Sequence, residues 1–348
     1  YRRGGAYISA LLACNAVAIL PEEMSRERFE WLQSIAGEVL ATPGCESNVK
    51  EIFDKCWELR NSGEDLRIFN HFDEMGNPLW HYTVTGHAVA TLLQDYLADG
   101  RRCAGYVSSS GSGGTLGAGY YLKRTFPGSK LVVAEALQCP TLLMNGFGGH
   151  RIEGIGDKHV PWVHDCKDTD MVVAVDDEVP MRVLRLFNEP VGRQALLSSG
   201  VDGELVSQLD LLGISGIGNM AAAIKFAKYY ELGDQDIVVS IATDSMQLYG
   251  SRLGELEQER GVYNEAQAQR DIELIRSITM DHTKELRYYE KKALHNLKYY
   301  TWIEQQGRAV EELNEQWANH DAYWYDMFEQ VDEIDRLIID FNSRVGVL

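Results

Sequence analysis

The chain has 348 residues, of which 45% are hydrophobic, and its formal net charge is −19. A chain of this length is too long to fold around one simple hydrophobic core, which predicts two lobes. The charge argues against nucleic acid as a partner, because phosphate binding needs clustered Lys and Arg. No apolar run reaches the roughly 20 residues of a membrane span, and no signal-peptide pattern is present. We therefore expect a cytoplasmic protein with no membrane partner.

Up to about residue 250, strand-like and helix-like segments alternate, which predicts open parallel sheets flanked by helices. The predicted strands cover 17–20, 38–41, 103–107, 130–135, 171–175 and 237–241. The predicted helices cover 25–36, 47–60, 87–97, 116–124 and 219–230. Ligands collect at the carboxyl ends of strands in such sheets. The loops after 107 and 241, and the loop beside 212, would lie there.

The pattern changes at about residue 252. Residues 253–345 contain no proline and almost no glycine, and their periodicity predicts an all-helical C-terminal extension. Breaks are expected near Gly261, Gly307 and His320. Aromatic side chains crowd this segment, and two interpretations remain open. They pack against the body or across a dimer interface, the usual role of such a stripe, or they regulate or cover a substrate site.

The six cysteines show no C-x-x-C pair and no regular spacing. Cys14, Cys103 and Cys139 lie in or beside apolar runs. This placement favours buried thiols in a reducing compartment over disulfides or zinc ligands.

The motif with the clearest chemistry is Gly111-Ser112-Gly113-Gly114-Thr115, between the predicted strand at 103–107 and the predicted helix at 116–124. Such a turn offers backbone N–H groups and a hydroxyl to a phosphate, with the helix dipole adding to the attraction. Many strand–helix turns contain glycine and bind nothing. The motif alone is therefore weak evidence for phosphate binding, and the neighbouring sequence segments decide its interpretation.

Four neighbouring segments surround this turn at consistent distances: Asn77 to Gly86, Gly154 to Gly156, Gly213 to Gly216, and Thr243 to Ser245. Their order resembles the pyridoxal-phosphate (PLP) enzymes of the cysteine synthase family, which includes cystathionine β-synthase and the serine/threonine dehydratases. The resemblance covers about residues 1–252, and within it Ala18 to Ser25 resemble the strand and turn that follow the family's asparagine loop.

The resemblance implies the two-lobed α/β architecture called PLP fold type II. It implies that residues 1–90 are the remnant of a small N-terminal lobe and that 91–252 form the large PLP-binding lobe. Residues 253–348 would then be the helical extension, about which the resemblance says nothing.

The resemblance also implies PLP as the cofactor and a set of residues that bind it. The residues expected at the phosphate are Gly111, Ser112, Gly113, Gly114 and Thr115, and those expected near the ring are Gly213, Ser215 and Ser245. A neutral hydroxyl at the ring nitrogen favours β-elimination or β-replacement over transamination, and Asp244 is the rival of Ser245 for that position.

The third neighbouring segment departs from the family, because Gly216 stands where a second Ser is usual. Asn219 could supply a polar group in its place. Ser215 and Asn219 fit equally well as the N-cap and first-turn residue of the helix predicted at 219–230.

Substrate binding is implied for Arg2, Arg3, His71 and Gly154. The arginines stand in place of the family's asparagine loop and could bind a carboxylate through two hydrogen bonds. His71 replaces the family's Gln and could also serve as acid or base, although a solvent-facing loop histidine fits the position as well. We expect no metal site, because His150, His159 and His164 lack ligand spacing.

No lysine in the chain matches the family's Schiff-base lysine, which would precede residue 1. Lys123, Lys130 and Lys158 lie in other contexts. We therefore expect that an N-terminal portion carrying this lysine is missing from the chain, so that the catalytic residue is unknown.

The function implied is PLP-dependent β-elimination or β-replacement on a β-substituted L-amino acid, as in a cysteine synthase or a cysteine desulfhydrase. A homodimer or higher homo-oligomer is expected from the family. A serine/threonine dehydratase is the alternative reaction. Two other hypotheses remain: a non-catalytic subunit that binds PLP or an amino acid, and a partner module formed by the helical tail.

Overall fold

A computed structural model describes residues 2–97 and 99–346. The N-terminal part holds two parallel strands between helices. Its elements are α1 (Arg2–Leu11), β1 (Val17–Pro21), α2 (Arg26–Gln33), β2 (Glu38–Thr42) and α3 (Val49–Arg60). Val17 lies opposite Glu38, and Pro21 lies opposite Thr42. Apolar side chains of α1, β1 and α2, including Ala6, form a small separate core under this sheet.

A second sheet forms the centre of the molecule. Its strands are β3 (Arg102–Ser109), β4 (Lys130–Ala136), β5 (Met171–Val175), β6 (Asp236–Ser240) and β7 (Thr283–Glu285). They lie in the order β6-β3-β4-β5-β7, and all pair in parallel except β7, which is antiparallel to β5. β5 is buried along its whole length, as expected for a parallel strand covered on both faces.

Helices cover both faces of this sheet and are joined by loops up to residue 250. They are α4 (Gly76–Trp80), a π-helical turn (His81–Gly86), α5 (His87–Leu97), α6 (Leu116–Thr125), α7 (Thr141–Met144), α8 (Glu178–Asn188), α9 (Pro190–Ser198), α10 (Gly203–Ser207) and α11 (Ile214–Tyr229). Two 3₁₀ turns cover Leu209–Leu211 and Met246–Leu248.

The C-terminal extension is mainly helical. It contains α12 (Gly250–Arg260), α13 (Glu265–Arg276), α14 (Tyr288–Lys298), π-helical turns at Tyr299–Gln305 and Asp321–Tyr325, α15 (Val310–Ala318), α16 (Asp326–Phe328) and α17 (Val331–Arg344). Within the residues described, every helix is too short or too polar to cross a membrane.

The predicted fold class is confirmed: the molecule has two mainly parallel sheets flanked by helices and a C-terminal helical region. The six predicted strands are all present, with ends that differ by two residues or fewer. The helix predicted at 219–230 begins earlier, at Ile214, because the glycine-containing segment 213–216 forms its first turn. The lobe boundaries at residues 90 and 252 stay predictions.

The prediction of an all-helical extension is wrong at β7, which adds a short antiparallel strand to the edge of the central sheet. The expected breaks are confirmed, because Gly261 follows the end of α12 with φ +77° and Gly307 has φ +71°. Cys103 and Cys139 are buried as predicted. Cys14 is exposed, contrary to the prediction, because it follows α1, which is itself largely exposed.

The aromatic side chains of the extension pack against the body, as the first interpretation predicted. Trp302 is fully buried, and its Nε1–H donates to the carbonyl of Val160 at 2.9 Å. The ring of Phe328 stacks on Tyr82 with centroids 4.4 Å apart. Tyr289 remains exposed. Most of the largest rings therefore belong to the core, and only part of the stripe faces solvent.

A buried ammonium group fixes the extension to the loop before β5. The Nζ of Lys298 is fully buried and donates to the carbonyls of Trp162 and His164 at 2.9 and 2.7 Å and to Oε1 of Gln316 at 2.8 Å. Burial lowers the pKa of Lys298 to about 8. Three acceptors satisfy the three N–H bonds of the charged amine, so the charge is tolerated inside the protein.

Close to this lysine, His320 of the extension meets a carboxylate of the body. Its Nε2 lies 2.7 Å from Oδ2 of Asp165, and its Nδ1 lies 3.1 Å from Oδ1 of Asp321. Burial alone would lower the pKa of His320, but the hydrogen bonds and charges of these two carboxylates and of Asp168 raise it. The pKa of Asp165 is lowered in turn, because His320 and Lys298 outweigh the effect of its burial.

We predict that His320→Gln destabilises the protein more at pH 5.5 than at pH 8.5. A raised folded-state pKa gives stability that is complete below the ordinary His value of about 6.5 and is lost as the pH rises through the folded value. Urea unfolding at the two pH values measures the difference. The control is His282→Gln, whose half-exposed ring lies 3.7 Å from Asp281. An equal loss at both pH values would contradict the prediction.

Candidate functional site

The glycine-rich turn 111–115 joins the carboxyl end of β3 to the N-terminus of α6. Gly113 has φ +82°, which favours glycine. Within the described residues, no backbone amide of 111–115 donates a hydrogen bond to another protein group. The hydroxyl of Ser110, just before the turn, is buried and has no partner there. The turn thus presents unused donors at a helix N-terminus.

Asn77 closes one side of this turn. Its Nδ2 donates to Oγ of Ser112 at 3.0 Å and to the carbonyl of His71 at 2.8 Å. A Cβ added at Gly114 would collide with the Asn77 amide. The predicted substrate residue His71 is therefore brought beside the predicted phosphate loop, and its ring packs on Phe72 with centroids 4.3 Å apart.

The loop that contains Gly154 closes the other side. Gly154 has φ +90°, and its carbonyl would lie 2.9 Å from a Cβ built on Gly111. The amide of Gly156 donates to the carbonyl of Ser110 at 3.0 Å. The structure thus brings the predicted substrate loop into direct contact with the glycine-rich turn.

A buried asparagine joins the ends of two neighbouring strands beneath the turn. Oδ1 of Asn219 accepts from the amide of Ser109 at 2.7 Å, and its Nδ2 donates to the carbonyl of Ile241 at 2.9 Å. Ser215, one turn earlier on α11, shares a hydrogen bond of 2.8 Å with the hydroxyl of Thr243. The two segments that the sequence placed near a cofactor ring, 213–216 and 243–245, therefore meet beside the carboxyl ends of β3 and β6.

The two rivals for the ring nitrogen differ in their surroundings. The Asp244 carboxylate accepts from Arg28 Nη2 at 2.6 Å and from the Tyr249 hydroxyl at 3.2 Å. Ser245 is half-buried and precedes the 3₁₀ turn at Met246–Leu248. Asp244 is thus already engaged in an ion pair. Gly213 lies beside this segment, and its amide donates to the Asp244 carbonyl at 2.7 Å.

The predicted arginines lie on α1 rather than in a loop. The guanidinium of Arg3 sits 4.4 Å from the centroid of the Trp31 ring, on α2. The side chain of Arg2 lies outside the described residues, as does all of Tyr1. The structure therefore gives Arg3 an aromatic partner and leaves its substrate role a prediction.

The histidines considered for a metal have separate partners. Nε2 of His150 lies 2.8 Å from the Gly156 carbonyl, and Nε2 of His164 lies 2.8 Å from Oγ1 of Thr169. The ring of His159 packs against Phe72 at 5.1 Å. Burial lowers the pKa of both His159 and His164 to about 3, so both are neutral.

The three lysines that the sequence analysis set aside also have partners away from the turn. Lys123 Nζ lies 2.8 Å from Oδ2 of Asp170, and Lys158 Nζ donates to Oδ1 of Asn48 at 3.0 Å. Lys130 Nζ lies 5.8 Å from the centroid of the Tyr230 ring.

Sequence reasoning missed the roles of three polar residues at the site. Asn77 was noted only as part of a motif, and its bond to Ser112 needs the folded chain. Arg28 and Glu153 were not singled out, although Glu153 directly precedes a motif that was. Their ion pair, with Arg28 Nε 3.1 Å from Oε2 of Glu153, joins positions 125 residues apart, so no local pattern could reveal it.

No protein-family model matches the chain. The sequence is 30% identical to a cysteine synthase of Staphylococcus aureus over 200 residues, which are 57% of this chain and 62% of that protein. It is 27% identical to the cystathionine β-synthase of Saccharomyces cerevisiae over 256 residues, which are 71% of this chain and 47% of that one. The chain thus spans 62% of the length of the cysteine synthase it matches.

A solved structure matches most of the fold. A hydrogen sulfide-producing enzyme of Fusobacterium nucleatum, in a mutant form complexed with an α-aminoacrylate intermediate, superposes with a TM-score of 0.61. The match has 22% sequence identity and covers 82% of this chain and 75% of the other. At this identity the likeness establishes the fold.

The open α/β fold, with a glycine-rich turn between a central strand and a helix, belongs to the class of fold type II proteins. The two sequence relatives are both named as enzymes, so the chain is similar in sequence to cysteine synthases and cystathionine β-synthases. PLP is the cofactor of those enzymes.

We predict that Asn219→Ala lowers the free energy of unfolding by about 3 kcal/mol, because it leaves buried partners at two strand ends without a hydrogen bond. Asn188→Ala is the matched control. The Nδ2 of Asn188 bonds only to the Leu184 carbonyl of its own helix, at 2.9 Å, so we expect a loss of about 1 kcal/mol. Urea unfolding measures both, and equal losses would contradict the role assigned to Asn219.

Proposed function

We propose that the protein is a PLP-dependent enzyme that catalyses β-elimination or β-replacement on a β-substituted L-amino acid. The observation that carries this proposal is the turn 111–115, whose amides are unused within the described residues and which lies between Asn77 and the Gly154 loop. The names of the relatives, cysteine synthase and cystathionine β-synthase, support the same reaction class.

The phosphate of PLP fits the donors of this turn. Backbone amides at the N-terminus of α6, a helix of ten residues, favour a dianion through both hydrogen bonding and the helix dipole. The partnerless Ser110 hydroxyl and the side chains of Ser112 and Thr115 lie at the same turn. Gly111 and Gly114 keep the turn in contact with its neighbours, because a side chain at either would meet another group.

Ser245 is our candidate for the pyridine nitrogen. The Asp244 carboxylate is held by Arg28 and Tyr249, which supports the hydroxyl over the carboxylate. A hydroxyl at this position donates to an unprotonated nitrogen without adding charge. PLP itself, when bound, withdraws electrons from the α-carbon of the amino acid.

The residues proposed for the substrate are His71, Gly154, Arg2 and Arg3. Two contacts support the first two: the Gly154 carbonyl lies against Gly111, and the His71 carbonyl accepts from Asn77, which also donates to Ser112. His71 would orient the substrate carboxylate or move a proton near it. An arginine of α1 would bind a carboxylate with two hydrogen bonds.

The substrate class is proposed from the names of similar structures. One is a hydrogen sulfide-producing enzyme and another is an O-acetylserine-dependent cystathionine β-synthase of Helicobacter pylori, with 24% identity and a TM-score of 0.55. We therefore propose L-cysteine and O-acetylserine as the first substrates to test, with sulfide as the product of the one and the co-substrate of the other.

We also propose that the enzyme works in the cytoplasm and as a homodimer. The free state of the cysteines supports a reducing compartment. Exposed apolar side chains along residues 76–97, with Trp80, Leu92 and Tyr96 all more than half exposed, support a contact between two copies.

We predict that Gly113→Ala weakens PLP binding about tenfold, as expected when roughly 1–2 kcal/mol of left-handed strain displaces the loop. The control is Gly128→Ala at the other end of α6. Gly128 has φ +96° and open space around its Cβ position, so its strain is similar but lies away from the site. PLP absorbance and fluorescence titrations compare the two. Equal affinities would contradict the assignment of the turn.

The reaction is tested on the natural protein loaded with PLP. We expect L-cysteine to release sulfide, or O-acetylserine and sulfide to give L-cysteine, with a change in the visible absorbance of bound PLP. Serine and threonine are the controls for the dehydratase alternative, which would give a keto acid and ammonia. PLP binding without turnover of any of the four would overturn the enzymatic proposal in favour of a non-catalytic subunit.

A further inference from the structure

One guanidinium group connects the small two-stranded part of the molecule to two separate loops of the central sheet. Arg28 lies on α2. Its Nη2 donates to Oδ2 of Asp244 and to the hydroxyl of Tyr249, both at 2.6 Å, and its Nε donates to Oε2 of Glu153 at 3.1 Å. A single side chain thus bridges residues that are 91 positions apart in sequence, from 153 to 244.

This ion-pair network is largely shielded from water. The side chains of Arg28, Glu153 and Asp244 are 15%, 5% and 24% exposed. Burial alone would lower the pKa of Arg28, but Tyr249, Asp244 and Glu153 around it raise the value above its ordinary range. Breaking such a pair from one side leaves an uncompensated buried charge, which is strongly unfavourable. Removing Arg28 would break the ion pair of Asp244, whereas Glu153 would keep Arg252 Nε at 2.7 Å and the Ser25 amide at 3.1 Å.

Each of the two carboxylates belongs to a residue that directly precedes a residue of the proposed site. Glu153 directly precedes Gly154, whose carbonyl contacts the turn 111–115. Asp244 directly precedes Ser245, our candidate for the ring nitrogen. Both loops of the proposed site are therefore fixed one residue away from the group that would meet a ligand, and Arg28 itself contacts neither glycine nor serine through any hydrogen bond within the described residues.

We propose that Arg28 is a positioning residue: it holds the Gly154 loop and the Ser245 loop in register through the Glu153 and Asp244 carboxylates. The proposal rests on the proposed function for the ligand that these loops bind. Even without that ligand, the order of both loops should depend on the Arg28 side chain of α2.

Two neighbouring contacts provide controls for this role. Arg252 Nε donates to the other oxygen of Glu153 at 2.7 Å but does not contact Asp244. Glu27, the residue before Arg28, accepts from the amide and hydroxyl of Ser251 at 2.7 and 2.6 Å. Glu27 thus joins the same parts of the molecule as Arg28 without contacting either site loop.

The first experiment measures backbone hydrogen exchange by mass spectrometry in the protein without added ligand. We expect Arg28→Gln to speed exchange at least tenfold in both segments 152–157 and 242–248. We expect Arg252→Gln to speed it only in 152–157, and Glu27→Ala in neither. Exchange in Arg28→Gln that matches Glu27→Ala, or that rises throughout the protein, would overturn the proposal.

Tyr249→Phe keeps the ring and removes only the hydroxyl between Arg28 and Asp244, so it remains informative if Arg28→Gln does not fold. We expect faster exchange in 242–248 and unchanged exchange in 152–157. A change in both segments, or in neither, would show that Arg28 does not hold the two loops through separate contacts with Asp244 and Glu153.

The second experiment titrates PLP into the same variants. We expect the dissociation constant to rise about tenfold in Arg28→Gln and to stay within twofold in Glu27→Ala. If the wild type binds PLP and Arg28→Gln binds it equally well, the positioning role is wrong. If the wild type does not bind PLP while the exchange pattern is as expected, the proposed function fails and the control of both loops by Arg28 stands.

Discussion

The arrangement of the site depends on the close approach of three backbone segments at the end of β3. The turn 111–115 meets the carbonyl of Gly154 on one side, and Gly117 on α6 packs directly against the carbonyl of Pro78 on the other. A side chain at these glycines would push the segments apart. The amides of the turn make no hydrogen bond within the described residues, so the packing that holds these segments together leaves donors free for a ligand.

Much of this architecture follows from the sequence because the central strands are short, strongly apolar runs. The pattern 171–175 predicts β5 without error, since all five residues are buried. β7 could not be predicted, because Thr283–Glu285 is polar and becomes a strand only by pairing with the edge of β5. The start of α11 was misplaced because glycine and serine at 213–216 are typical of turns and are tolerated here inside a buried helix.

The residues of the candidate site also fall into those that local sequence predicts and those that it does not. The glycine-rich turn and its neighbours could be recognised from local motifs. The Arg28 network could not, since its ion pairs span 125 and 216 residues and each charged residue alone is typical of a solvated surface. Long-range polar contacts of this kind carry no periodicity. They are set by how α2 lies against the loops that contain Glu153 and Asp244, which only the folded chain shows.

The short strand β7 determines what proteolysis would do to the protein. It pairs with Val172 and Val173 at the edge of the central sheet, and unpaired apolar edges are templates for association with other chains. Suppose that a protease cut the chain before β7 and that the segment after the cut were released. The edge of β5 and the Trp162 and His164 carbonyls that accept from Lys298 would then both be exposed. The product would be an aggregation-prone fragment, so β7 protects the edge of the sheet from association with other chains.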